Sequence, residues 1–130
     1  MHDMTDVPDW LATAIEAWVK GDLDGWMAIY AEDAVHEFPF APPGAPRRVE
    51  GQAAIAKLLR PLQQHIRFGR FDLGRVRQIG DETILEATGH HRVVATDTPL
   101  DLDYVWFITR HDGKVTHFRD YMNPLQLSGS

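Results

Sequence analysis

The sequence predicts an α+β fold: a strongly curved antiparallel sheet whose concave face is covered by three helices. Three observations carry this. Helical spacing of apolar residues is confined to the chain before Arg67, and strand-like alternation fills nearly everything after it. Turn residues divide that later part into strands of roughly ten residues, longer than the usual five or six, and strands of that length bend. The segment Leu100–Arg110 is apolar on both faces, so both faces need a cover.

The elements follow in order. Pro8 stands where a first helical turn begins, with Thr5 and Asp6 ahead of it as caps. Leu11, Ala14, Ile15, Trp18 and Val19 then recur at helical spacing, and Gly21 ends the helix. Asp22 caps a second helix with Leu23, Trp26, Met27 and Tyr30 on its apolar face. Ala34 to Phe40 reads as a strand. The segment Ala41-Pro42-Pro43-Gly44-Ala45-Pro46 reads as a loop, because proline cannot donate to a sheet. Gly51 opens a third helix carrying Ile55, Leu58, Leu59 and Leu62, with Arg60-Pro61 near its end. Strands are expected over Arg67–Ile79, Thr83–Ala95, Leu100–Arg110 and Lys114–Asn123. They are joined by Gly80-Asp81, by Thr96-Asp97-Thr98-Pro99 and by His111-Asp112-Gly113. The 130 residues suit one domain, and Leu125–Ser130 reads as a tail.

Composition excludes several classes. A net charge of -6 argues against a general nucleic-acid partner, since phosphate contacts want a basic surface. The absence of cysteine removes disulfides and thiolate metal sites. No apolar run approaches a membrane span, and Met1-His2-Asp3-Met4 lacks the character of a signal peptide, so a cytoplasmic location is expected. Four Trp, six Phe and three Tyr predict an aromatic interior. On Leu100–Arg110, Leu102, Tyr104, Trp106 and Ile108 point one way and Val105 and Phe107 the other. A second copy of the chain is the simplest cover for the face the helices do not reach, so a homodimer is expected.

The last strand holds the most informative residue. Thr116, Phe118, Asp120 and Met122 share a face, which sets a carboxylate between a ring and a thioether. Burying an unpaired charge is costly. Asp120 is therefore an ion-paired structural residue, with an arginine such as Arg75, Arg77 or Arg92 as partner, a group turned to solvent, or a group held for chemistry.

Gly21-Asp22-Leu23-Asp24-Gly25, Tyr30-Ala31-Glu32-Asp33-Ala34-Val35 and Phe118-Arg119-Asp120-Tyr121-Met122-Asn123-Pro124 closely resemble the SnoaL-like polyketide cyclases. That group lies in the superfamily of nuclear-transport-factor-like cones, with ketosteroid isomerases and limonene-type epoxide hydrolases. The resemblance covers nearly the whole chain and implies a cone-shaped sheet around three helices, with one deep pocket at the open end. It is weak for the reaction, because the fold hosts many chemistries. The ketosteroid isomerase triad would fall on Ala14, Phe38 and a position near Val105, where no polar group exists. The epoxide-hydrolase set keeps its last-strand acid as Asp120. It places His36 and Phe38 at the tyrosine and asparagine positions, and has no Arg–Asp pair around Ala87–His90. The cyclase pattern asks for one acid at about Asp120, which this chain has.

These registers put the face of His36, Phe38 and Phe40 in the pocket. Asp120 and His36 are then the candidate catalytic pair, a base with an orienting partner. The bland alternative for His36 is a hydrogen-bonded core histidine. Phe38, Phe40, Trp26, Tyr30, His90, Phe118 and Met122 are the candidate ligand-binding residues, with Trp26 and Tyr30 equally readable as core. His90 and His91 point to opposite faces and cannot chelate one metal together, and His90 is taken as the one facing the pocket. Arg47-Arg48 reads as a solvated loop pair or a guide for an anionic ligand, and the proline-rich loop as a connection or a lid. The expected ligand is a hydrophobic small molecule bearing a carbonyl, with no metal or organic cofactor. The expected chemistry is proton transfer in isomerisation or aldol-type cyclisation. Water activation on an epoxide and ligand binding without catalysis are the alternatives.

Overall fold

The computed structural model describes residues 7–127. The order is α1 (Asp9–Val19), α2 (Leu23–Met27), β1 (Tyr30–Glu37), β2 (Arg48–Glu50), α3 (Gln52–His65), β3 (Ile66–Arg67), β4 (Phe71–Ile79), β5 (Glu82–Val93), β6 (Thr98–His111) and β7 (Lys114–Met122). One 3-10 turn, Pro124–Gln126, follows. The seven strands form one sheet in the order β2-β1-β7-β6-β5-β3, with β4 also on β5. All pairings are antiparallel except β1 with β7, which is parallel, so the sheet is mixed.

The helices form for the reasons their spacing gives. Leu11, Ala14, Ile15 and Trp18 are the buried stripe of α1. Its first turn follows Pro8, which has no side-chain cap of its own; Thr5 and Asp6 lie outside the described residues. Asp22 caps α2 by accepting from the Gly25 amide at 3.0 Å. A methyl group on Gly25 would stand 2.6 Å from Ala17 Cβ, so glycine is what lets α2 lie against α1. α2 stops at Met27, and Tyr30 opens β1 rather than completing a helical face.

Helix α3 runs past Pro61 to His65 instead of stopping beside it. The missing proline N–H leaves the Lys57 carbonyl without its helical donor. Both residues lie on the exposed side, where water can serve it. Gln63 also donates to the Trp18 carbonyl at 3.3 Å and ties the last turn to α1.

Arg67–Ile79 is two strands, broken at Phe68–Arg70. Gly69 sits there so close to β5 that a Cβ would stand 2.0 Å from the His90 carbonyl oxygen. The β6–β7 connection has Asp112 at φ 51° and Gly113 at φ 78°, the left-handed pair that a two-residue hairpin requires. The register of β6 with β7 shifts between Thr109 and Arg110. The extra residue moves Thr116 out of the inward row: Val115 and Phe118 are fully buried, and the Thr116 hydroxyl bonds to the Thr109 carbonyl. Arg48, read as loop, belongs to the short edge strand β2 and pairs with Glu50 at 2.9 Å. Among the described residues no helix is long and apolar enough to cross a membrane.

Candidate functional site

The curved sheet and the helices enclose a cavity of about 170 Å³. Trp18 comes from α1, Trp26 from α2, and Leu59 and Leu62 from α3. His36 comes from β1, Phe38 from just beyond it, Phe71 from β4, Leu102, Tyr104 and Trp106 from β6, and Asp120 and Met122 from β7. Ile66, Phe68 and Leu127 complete the wall. A cavity of ~150 Å³ with apolar walls takes up benzene, so this one suits a ligand of about one ring.

Asp120 faces Trp106 across the β6–β7 register and accepts a hydrogen bond from Trp106 Nε1 at Oδ1, 3.0 Å. Its side chain is 17% exposed. Among the described residues no arginine or lysine pairs with it; Arg92 pairs with Asp97 instead. His36 Nε2 stands 3.5 Å from Asp120 Oδ2, at ion-pair distance but without a formed hydrogen bond. The His36 ring is clamped between Phe38 and Phe118, each stacked on it at 4.5 Å and nearly parallel to it. The Tyr30 hydroxyl lies 2.9 Å from His36 Nδ1. If Tyr30 donates there, the ring proton of neutral His36 sits on Nε2 and faces the carboxylate. The opposite tautomer would set a lone pair against a negative charge. Burial holds the Tyr30 phenol well above its usual range. The nearby Trp26 indole opposes this and the Asp120 charge adds to it, although Trp26 Nε1 itself completes no hydrogen bond.

The structure brings Asp120, His36, Phe38, Trp26 and Met122 together on the cavity. It places four predicted binding residues elsewhere. Phe40 is 58% exposed and meets Tyr121 edge-on at 5.1 Å. β1 ends at Glu37, so strand alternation does not carry through Pro39 to Phe40. Tyr30 and Phe118 are buried behind His36 and support it without lining the cavity. His90 points outward, where Nε2 lies 2.8 Å from Asp72 and Nδ1 3.0 Å from Asp101. Its neighbour His91 is the inward one and is 2% exposed. The sequence held that signal: Leu85 and Ala87 share parity with His91, whereas Glu86, Thr88 and Arg92 share parity with His90.

His91 and Tyr104 form a second polar pair beside the cavity. The Gly69 amide donates to His91 Nδ1 at 3.1 Å, and His91 Nε2 lies 2.9 Å from the Tyr104 hydroxyl. Burial, with lesser repulsion from His90, pushes the His91 imidazole down to about 4. Burial, then the Asp120 charge, raises the Tyr104 phenol. Among the described residues no group of three His, Asp or Glu side chains could hold a metal ion.

Comparison with known proteins places this geometry. The family model described as a SnoaL-like domain matches residues 11–118. The uncharacterised protein YesE of Bacillus subtilis is 34% identical over 111 residues, covering 82% of this chain and 74% of its own. A crystal structure described as a proposed isomerase from Bacillus subtilis superposes with a TM-score of 0.88 at 30% identity, covering 100% of this chain and 98% of that one. A structure described as an LEH-like epoxide hydrolase from M. tuberculosis superposes with a TM-score of 0.72 at 21% identity, covering 96% of this chain and 88% of that one, which is a likeness of fold.

Proposed function

The chain belongs to the SnoaL-like domain family, and from that premise we propose a cofactor-independent enzyme that moves a proton on a small, hydrophobic, carbonyl-bearing molecule, as an isomerase or an aldol-type cyclase. One observation carries the reading. Asp120 is a carboxylate on an apolar aromatic cavity, held by an indole N–H and, among the described residues, paired with no arginine or lysine. A carboxylate so placed is an acceptor with a free lone pair, and the surrounding rings exclude water that would compete for it.

In this reading Asp120 takes a proton from the carbon next to the carbonyl. The C–H electron pair becomes the new C=C bond of an enolate and the charge moves to oxygen. Asp120 then returns its proton to another carbon; in the cyclisation the enolate carbon instead attacks a second carbonyl within the same molecule, a C–C bond forms as that C=O π bond breaks, and the alkoxide takes the proton back from Asp120. Trp106 fixes one carboxylate oxygen, and His36 steadies the other.

The test is exchange of the methyl protons of acetophenone, a one-ring ketone, in heavy water. The wild-type protein catalyses the exchange, and Asp120→Asn slows it by about 10²–10⁴-fold. An unchanged rate in Asp120→Asn overturns the assignment. The acid on the last strand also fits water activation, so styrene oxide in labelled water is the second arm, where a diol carrying the label moves the protein to the epoxide-hydrolase class. Saturable binding of acetophenone without exchange makes it a ligand-binding protein.

A further inference from the structure

A base that forms an enolate needs a donor within reach to receive the charge, and the pair His91–Tyr104, on β5 and β6 beside the strand of Asp120, has the required polarity. A backbone amide can only donate, so the Gly69 N–H fixes His91 Nδ1 as a lone pair. The one proton of the neutral ring must then be on Nε2, and it points at the Tyr104 oxygen. Protonating Nδ1 would set two N–H groups against each other, so the ring is locked neutral and in one tautomer. The Tyr104 oxygen therefore accepts from His91, and its own proton has no acceptor among the described residues. Tyr104 lines the cavity, two residues along β6 from Trp106, the residue that holds Asp120.

We propose that Tyr104 is the hydrogen-bond donor to the ligand's carbonyl oxygen, and that His91 is a positioning residue which fixes it as a donor. This rests on the proton-transfer reading and deepens it. The cavity offers an acceptor, Asp120, and a donor, Tyr104, on adjacent strands. It selects ligands with an acidic C–H toward β7 and an acceptor-only oxygen toward β5. When Asp120 takes the α-proton, the negative charge gathering on the carbonyl oxygen meets the Tyr104 O–H. The donation from His91 Nε2–H strengthens that O–H as a donor.

Two measurements test this. In ligand-free protein, nitrogen NMR of His91 shows protonated Nε2 and bare Nδ1 between about pH 5 and 8. A proton on Nδ1, with Nε2 bare, would force Tyr104 to donate to His91 and overturns the proposal without any ligand. With acetophenone bound, infrared spectroscopy shows the carbonyl stretch at lower frequency than in hydrocarbon solvent. Tyr104→Phe, confirmed folded by circular dichroism, loses that shift and weakens Kd by roughly five- to tenfold; Asp120→Asn keeps the shift while losing exchange. Asp120-dependent exchange with a carbonyl stretch indifferent to Tyr104→Phe sinks the Tyr104 assignment and leaves the proton-transfer reading standing. If Tyr104→Phe does not fold, His91→Phe, which removes the donation to Tyr104, is expected to reduce the shift; an unmoved stretch counts against the proposal.

Discussion

Two glycines hold the His91 ring in place, and each makes a prediction. A methyl group on Gly69 would stand 2.0 Å from the His90 carbonyl oxygen, a backbone atom that cannot move aside cheaply. Gly69→Ala is expected to cost about 1–3 kcal/mol in urea unfolding. A methyl group on Gly89 would stand 2.2 Å from His91 Nε2 and 3.0 Å from Tyr104 Cε2, so Gly89→Ala pushes the imidazole off the phenol and alters its nitrogen shifts. His91 also carries a pH dependence. Its folded value of about 4 lies below the ordinary 6.5, so between those values the unfolded chain binds a proton that the folded chain refuses. Stability from this group is complete above about pH 6.5 and falls as the pH drops toward 4; urea midpoints across that window check it, and His91→Gln removes the component. His90 acts in the opposite sense. Hydrogen bonds to Asp72 first, and to Asp101, raise it, so its contribution is present below 6.5 and is lost as the pH rises through its folded value. That cluster is solvent-exposed, and salt weakens it.

At the scale of elements, what could be read from the chain followed from how local each cause was. Helix α1, the cap of α2, the Asp112-Gly113 turn and the inward row of β6 depend on neighbours within a few residues, and each lies where its pattern puts it. The elements that differ depend on distant partners. The last turn of α3, beyond Pro61, is tied to the α1 terminus by Gln63, and Tyr30 joins a strand because β7 pairs with it. Thr116 leaves its face because the opposing strand is one residue out of step. The site divides in the same way. Asp120 and His36 stand near each other because β1 and β7 are neighbours; the family resemblance put both residues in the pocket, whereas the pairing of their strands is a long-range contact that periodicity could not supply. His91 was open to parity within its own strand, whereas its link to Tyr104 needed the β5–β6 register and the close approach of Gly69. The cap offers a simple check on the local class. Asp22→Ala removes the acceptor for the Gly25 amide and is expected to cost about 1 kcal/mol, with Asp22→Asn retaining most of it, by thermal unfolding.

At the scale of the molecule, the two faces of the sheet do different work. The concave face is covered by helices and holds the cavity. The convex face carries Phe107, 5.6 Å from Tyr121, with the Arg119 guanidinium 4.8 Å over the Phe107 ring. Phe40 closes on Tyr121 from the proline-rich loop. Stacked arginine and a loop aromatic shield part of this surface within one chain, yet Phe107 and Tyr121 remain only half-buried and Phe40 exposed. An aromatic patch of that kind is characteristic of a surface that meets another protein, and a second copy of this chain, joined by a two-fold axis, would match aromatic to aromatic. The expected outcome in light scattering is a mass of about twice 14.8 kDa, with Phe107→Lys returning it toward a single chain by placing two like charges at the axis. The cavity faces the other side of the sheet, so acetophenone exchange in Phe107→Lys should stay within a few-fold of wild type. A single-chain mass for the unmodified protein would mean that Arg119 and Phe40 cover the patch sufficiently by themselves.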